Sequence, residues 1–175
     1  EIGKHIFTKC TKLKEITIPS SLTKIPIAAF ESCSSLKEIV IPSSITEIDE
    51  YAFCLCSKLK KISIPSSVTV IGDYAFCLCS SLSEIEIPSS VTKINNYVFR
   101  GCSSLEKFSI PSSITKIGKY AFHNCTKLKE IIVPSSVTRI GDFAFSGCSK
   151  LEKITIPSSI TNVENLDLNE NIQII

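Results

Sequence analysis

Cysteine is the residue type in this chain whose number and regular spacing are compatible with a chemical role. The chain has 175 residues and nine cysteines, enough for a disulfide framework, a zinc site or a redox pair. Seven of them recur every 23 residues: Cys10, Cys33, Cys56, Cys79, Cys102, Cys125 and Cys148. Free cysteine behaves as a small hydrophobic side chain, and a cysteine repeated once per unit is typical of a buried position. We therefore predict a core column of free thiols.

Two further cysteines, Cys54 and Cys77, stand outside this column and are candidates for a disulfide. Each follows a regularly spaced Phe, at a position where other units carry residues such as Thr8 and Arg100, so we expect this position to tolerate solvent. If successive coils stack at about 4.8 Å, the two α-carbons lie within disulfide range. One cysteine of each Cys-Leu-Cys triplet should face the core, which argues against a zinc site. No metal and no cofactor is expected.

No catalytic constellation is visible in the sequence. The two histidines, His5 and His123, belong to no recognisable motif, and there is no GxSxG, Walker loop, HExxH or CxxC pattern. The net charge is only +2, and no apolar run approaches the roughly 18 residues of a membrane helix. We expect a chain that is not an enzyme, does not insert into a membrane and does not bind nucleic acid.

A 23-residue repeat must position all of these residues. Three columns define it: Pro at 19, 42, 65, 88, 111, 134 and 157; Phe at 7, 30, 53, 76, 99, 122 and 145; Leu at 13, 36, 59, 82, 105, 128 and 151. Residues 1–163 contain no insertion or deletion, which predicts a solenoid of about seven stacked coils. Glu1 corresponds to Lys24, so the sequence starts in mid-repeat and we expect a longer array. Residues 164–175 lose the pattern and are predicted to form a cap or a fading repeat.

Within a unit the pattern predicts two short strands and a tight turn. Leu13–Ile18 has apolar residues at 13, 16 and 18; Ile16 and Ile18 alternate with Thr17, as a half-buried strand requires, and Pro19 ends it. The β-branched segment Val68–Ile71 favours a second strand. In Asp73–Cys79 the apolar residues are too unevenly spaced for a strand, and we predict one helical or 3₁₀ turn.

The phrase L-x-x-I-x-I-P-S-S-[VI]-T-x-I-G-x-Y-A-F-x-x-C-S-x resembles the BspA-type leucine-rich repeat over residues 1–163. This resemblance implies a curved solenoid whose leading strands form a parallel sheet on the concave side. We therefore expect a right-handed coil built mainly from short parallel strands. Family members are often surface proteins of bacteria and parasitic protists associated with adhesion to host matrix proteins, and others are intracellular. The implied partner is thus a protein, from the extracellular matrix if the chain is at the surface.

Variable positions on the leading strands are the candidate partner-binding residues. One column alternates in charge and should pair across coils, while Val40 and Ile132 are apolar residues predicted to be exposed. The full set is Glu38, Val40, Lys60, Lys61, Ser63, Glu84, Glu86, Lys107, Ser109, Glu130 and Ile132. Either these residues bind a protein, with charge complementarity tuning specificity, or they form a solvated face that keeps the sheet soluble.

Two other surfaces are also candidates for ligand binding. Lys93, Lys116 and Arg139 share one column, with Arg100 and Lys119 near, and could hold a sulfated glycan or phosphate; a solvated edge is the simpler interpretation. A complete Thr column from Thr23 to Thr161 could bind ice or could satisfy backbone groups.

The sequence therefore predicts a non-enzymatic protein-binding module, at the cell surface or secreted. The alternative is a structural or cytoplasmic scaffold repeat with no dedicated ligand in this segment.

Overall fold

Each repeat forms one coil of a parallel β-solenoid. The computed structural model describes residues 3–161, 164–168 and 173–174. Its strands are β1 (Lys24–Ile25), β2 (Glu38–Val40), β3 (Glu47–Ile48), β4 (Lys61–Ser63), β5 (Val70–Ile71), β6 (Glu84–Glu86), β7 (Lys93–Ile94), β8 (Lys116–Ile117), β9 (Glu130–Ile132), β10 (Arg139–Ile140), β11 (Lys153–Thr155) and β12 (Gln173–Ile174). Most coils form both predicted strands, although Leu13–Ile18 itself contributes only an isolated bridge between Thr17 and Val40, and the solenoid expectation is confirmed.

Strands from successive coils pair in parallel and in strict register. Ile39 pairs with Ile62 and Ile62 with Ile85, so the inward side chains stack in a column. The leading strands form two sheets, β2-β4-β6 and β9-β11-β12, and the second strands form two more, β1-β3-β5 and β7-β8-β10. The expectation of a single sheet of leading strands therefore needs correcting, because the pairing stops between β6 and β9.

The interruption lies in the coil that contains Phe108, at the position where other coils have Ile. This coil contributes only an isolated bridge between Lys107 and Glu130. The Phe108 ring lies at 57° to Phe99, with centroids 5.1 Å apart, and edge-on to Phe122 at 4.8 Å. The larger ring thus takes a place in the core that Ile fills elsewhere, and the regular strand is lost there.

The second strands are interrupted one coil earlier, beside Asn95. In regular coils a backbone amide bridges at this point, as the Gly118 amide does to the Ile94 carbonyl at 2.7 Å. At Asn95 the side-chain Nδ2 donates to the Ile71 carbonyl instead, also at 2.7 Å. A Cβ on Gly72 would lie 2.6 Å from the Glu50 amide nitrogen, so glycine suits this position because the coils approach closely.

The turn segment is not helical, which corrects the expectation for Asp73–Cys79. Tyr74 and Leu78 have positive φ angles of 59° and 58°, so tight turns alternate with left-handed residues. The amides of Tyr74 and Phe76 donate to carbonyls in the next coil, each at 3.0 Å. Within the described residues the only helix is a 3₁₀ turn, Glu164–Leu166. Equivalent bonds recur from His5 to Phe143 and form an unbroken ladder between coils.

The core consists of stacked columns of like residues. Neighbouring Phe rings from Phe7 to Phe145 lie with centroids 5.4 to 5.9 Å apart. The Phe and Leu side chains of the inner coils are fully buried, as predicted, and so is the cysteine column apart from half-buried Cys10. Each column thiol from Cys33 onward also donates to a carbonyl in the preceding coil, as Cys79 does to Phe53 at 3.1 Å.

The C-terminal segment continues the stack with a shorter spacing. β12 pairs with β11 through Lys153 and Gln173, a separation of 20 residues where other coils have 23. Leu168, in the Phe column, is half-buried against the core. Asn171 and Ile172 lie outside the described residues, and the division between solenoid and cap stays a prediction. Within the described residues no helix is long and apolar enough to cross a membrane.

Candidate binding surface

The leading strands present one row of outward side chains on each side of a buried isoleucine. We call this surface the leading-strand face and define it by the candidate residues: Glu38, Val40, Lys60, Lys61, Ser63, Glu84, Glu86, Lys107, Ser109, Glu130 and Ile132. In every three-residue strand from β2 to β9 the middle residue is buried and its two neighbours are exposed. The fold thus points the predicted residues to solvent.

The charged column forms ion pairs between coils, as its alternating signs predict. Lys61 lies in register with Glu38 and Glu84, and its Nζ is 3.3 Å from a Glu84 carboxylate oxygen. Lys153 Nζ and a Glu130 carboxylate oxygen are also 3.3 Å apart. Such exposed pairs stabilise a fold by about 0–1 kcal/mol. These charges therefore contribute little to stability and mainly set the electrostatic pattern of the face.

Two aliphatic side chains on this face are exposed to solvent, as predicted. Val40 is 79% exposed and Ile132 is 58% exposed. Both occupy the third position of a strand, where Ser63 and Glu86 stand in other coils. An apolar side chain among charged neighbours gives a partner an area to desolvate, whereas the ion pairs around it favour orientation.

The structure divides these residues into two groups. Strands β2, β4 and β6 bring together the residues from Glu38 to Glu86, whereas Glu130 and Ile132 lie on the sheet of β9 and β11. Lys107 reaches the second group through its isolated bridge. Ser109 is exposed but belongs to no strand. The signal for this division was present in the sequence, since Phe108 interrupts the Ile column.

Cys54 and Cys77 are more buried than expected. They are 5% and 2% exposed, so the position after the Phe column is not solvent-tolerant in these two coils. Both are free thiols in the structure. A hydrogen bond from the Cys54 thiol, with help from Arg100, lowers the pKa of Cys77 to about 7, whereas the same bond and burial raise the pKa of Cys54. The disulfide stays a prediction.

A serine, a histidine and an aspartate meet in the later coils without forming a catalytic triad. The Ser146 hydroxyl donates its hydrogen bond to Asp167 Oδ2 at 2.6 Å, and not to a histidine that could act as a general base. Burial lowers the pKa of the neighbouring His123, and its Nδ1 has no hydrogen-bond partner in the described structure. In a working triad the histidine must lie between nucleophile and acid. Among the described residues, no three metal-ligating side chains cluster.

Threonine hydroxyls of the Thr column donate hydrogen bonds to backbone carbonyls of the preceding coil. Thr46 donates to the Thr23 carbonyl at 3.1 Å, and Thr138 donates to the Thr115 carbonyl at 3.2 Å. Their exposed side chains thereby satisfy the backbone between coils. These hydrogen bonds explain the Thr column as side chains that satisfy backbone groups, without ice binding.

The repeats match those of BspA-type leucine-rich repeat regions, in six copies over residues 1–106 and 92–174. The chain belongs to this family. Its members and their structural relatives are typically binding modules rather than enzymes. No curated protein sequence is significantly similar to the chain.

Solved leucine-rich repeat proteins share the fold. The leucine-rich repeat protein of T. pallidum is 31% identical over 91% of this chain and 72% of its own, with a TM-score of 0.74. A leucine-rich cell surface protein of Faecalibacterium prausnitzii is 29% identical and has a TM-score of 0.53; the match covers 98% of this chain and 62% of that one. A leucine-rich repeat protein from Bacteroides ovatus is 30% identical and has a TM-score of 0.52; the match covers 99% of this chain and 54% of that one. The chain spans less than two thirds of the last two proteins.

Proposed function

We propose that this chain is a non-enzymatic protein-binding segment of a cell-surface protein, and that its leading-strand face holds the partner. The observation that carries the proposal is the exposure of Val40 and Ile132 on a regular sheet face. Scattered exposed apolar residues are common, but here each lies among charges held in register by the backbone. A partner that covers these side chains gains apolar burial and reads the charge pattern around them.

Three lines of support favour this function over a scaffold without a ligand. Membership of the BspA-type family favours interaction with a protein. The similar protein of Faecalibacterium prausnitzii is described as a cell surface protein, which favours the surface over the cytoplasm. The ion pair between Lys61 and Glu84 has both side chains well exposed, which is expected of groups that a partner can reach. We propose extracellular-matrix proteins as the partner class.

A charge exchange tests the assignment of the face. Lys61→Glu combined with Glu84→Lys keeps the net charge and the ion pair between these two positions. Position 61 then carries the same charge as Glu38, so stability should fall by no more than about 1 kcal/mol. The local pattern is inverted, so binding to a panel of immobilised matrix proteins should weaken at least tenfold, measured by surface plasmon resonance. The matched control is Lys24→Asp with Asp49→Lys, which exchanges another ion pair, 3.5 Å long, outside the leading-strand face. Unchanged binding in the first variant would contradict the choice of face, and no binding to any panel member would favour the scaffold alternative.

A further inference from the structure

A groove of about 400 Å³ runs beside the second strands of the later coils. Strands β7, β8 and β10 line it, together with the residues that follow them and 159–161 of the next coil. It uses residues other than those of the leading-strand face. The groove is therefore a second candidate binding site, separate from the leading-strand face.

Three cations stand side by side along this groove. Lys93 pairs in register with Lys116, and Lys116 pairs with Arg139, so their α-carbons follow one another at about 4.8 Å. All three side chains are exposed, and within the described part of the chain none of them makes an ion pair. Like charges directly opposite on neighbouring strands destabilise a sheet. An anion along the row would remove that repulsion.

The same column is not a row of cations in the earlier coils. There its only cation is Lys24, which lies in register with Glu47, and Val70 follows. The positive row is thus confined to the three coils that form the groove. A purely solvating edge would have no reason to coincide with the groove.

One carboxylate lies at the groove and is already neutralised. Asp142 is 3.1 Å from Lys119 Nζ and accepts a hydrogen bond from the Asn165 amide at 3.2 Å. The bond from Lys119 holds the pKa of Asp142 below its usual value, so Asp142 stays ionised and pairs with that lysine. Arg139 also helps to lower the pKa of Asp142, but Lys93, Lys116 and Arg139 place three positive charges beside this single carboxylate, which is already paired with Lys119.

We propose that this groove binds a sulfated polysaccharide. A linear polyanion can place successive sulfates along a row of cations, and the Arg139 guanidinium can engage an oxyanion through two parallel hydrogen bonds. Thr138 and Thr161 add hydroxyl groups to the lining, and the Thr138 oxygen, whose hydrogen is donated to the Thr115 carbonyl, can still accept a hydrogen bond from a sugar hydroxyl. The lining residues come from four successive coils, which suits a chain that runs across the coils better than a compact small molecule.

The lining also argues against a single-stranded nucleic acid. Proteins that bind such strands stack bases on aromatic side chains as well as neutralising phosphates. No aromatic residue lines this groove within the described structure. The chemistry of the lining therefore favours a sulfated sugar chain over a polynucleotide.

Binding of heparin to the intact chain tests the proposal. Replacing Lys93, Lys116 and Arg139 by Gln should weaken heparin binding at least tenfold in isothermal titration calorimetry. The slope of log Kd against log salt concentration should also become shallower by about two, since each neutralised anion contributes a little under one. The substitutions remove like-charge repulsion, so the thermal midpoint should stay the same or rise, which separates lost binding from lost folding.

Matched controls keep the interpretation specific. Lys12, Lys58 and Lys150 are exposed lysines at one repeat position outside the groove, and their replacement by Gln removes the same charge. This control variant should retain heparin binding within twofold, and chemically desulfated heparin should bind at least tenfold more weakly than heparin. The proposal is overturned if both triple variants lose binding equally, if desulfated heparin binds as well as heparin, or if a thymidine oligonucleotide binds more tightly than heparin.

Discussion

The cysteines show which properties of a side chain can be predicted from residue type and spacing, and which cannot. Spacing predicted that the seven column cysteines are buried, and they are, apart from half-buried Cys10. Spacing could not show that each thiol from Cys33 onward donates to a phenylalanine carbonyl one coil earlier, as Cys102 does to Phe76 at 3.2 Å. A periodic pattern indicates which side chains face inward, but not which hydrogen-bond acceptors lie beside them in the core. The column is therefore a row of hydrogen-bond donors as well as small core residues.

The two extra cysteines should form a disulfide under mild oxidation. With diamide as oxidant, the Cys77 thiolate and the Cys54 thiol lose one proton and two electrons and form one S–S bond, while diamide takes up the two electrons, that proton and one proton from solvent to become the hydrazine. Because the pKa of Cys77 is lowered to about 7, the rate should rise steeply between pH 6 and pH 8. Peptide mass spectrometry after alkylation in denaturant measures the product.

Two variants check this assignment. Cys77→Ala should abolish the product, and Arg100→Gln should shift the rate profile to higher pH, because it removes a group that stabilises the thiolate. Alkylation of all nine cysteines after oxidation would contradict the prediction.

At the scale of elements, the short strands were predictable and the turns were not. Alternating isoleucines and β-branched residues indicated both strands of each coil. The turn was predicted as helical because Tyr74, Phe76 and Cys79 fit no strand, yet Tyr74 and Leu78 adopt positive φ angles that sequence patterns normally assign to glycine. Gly101 and Gly147, at the position of Leu78 in other coils, carry the signal, with φ of 72°.

The coil around Phe108 should have the least protected leading segment of the inner coils. It pairs through one isolated bridge, whereas β4 is bonded on both sides. In hydrogen–deuterium exchange, residues 105–110 should therefore exchange at least fivefold faster than residues 59–64. Phe108→Ile should slow that exchange by restoring the column, without raising the urea midpoint, because the contacts with Phe99 and Phe122 are lost. Equal exchange of the two segments in the native chain would contradict this.

At the scale of the whole molecule, stacking concentrates buried thiols in one row. Burial raises the pKa of Cys33 to about 11 and of Cys148 to about 12, and raises those of Cys79, Cys102 and Cys125 strongly. In the unfolded chain these thiols titrate near pH 9. Above that pH the unfolded state releases protons that the folded state retains, so the stability present below pH 9 is lost as pH rises toward the folded-state values.

We therefore expect steep alkaline destabilisation. Each buried thiol should remove roughly 1 kcal/mol per pH unit above pH 9. Urea midpoints measured under reducing conditions from pH 8 to pH 10.5 would record the loss. Cys125→Ala lowers the overall stability but should give a shallower decline with pH, because one titrating thiol is gone, while every other ionisable side chain is present in both proteins. An equal slope in the two proteins would contradict the prediction.

The interrupted sheets have a mechanical consequence. The backbone ladder through the tyrosine turns runs without a gap from coil to coil, while the leading strands separate into two plates on either side of Phe108. A body that is continuous along one side and divided along the other bends most readily at the division, with the continuous side acting as a flexure. A rigid partner that spans both plates must fix the angle between them, so its affinity includes the elastic cost of that angle. A partner that fits on one plate avoids this cost.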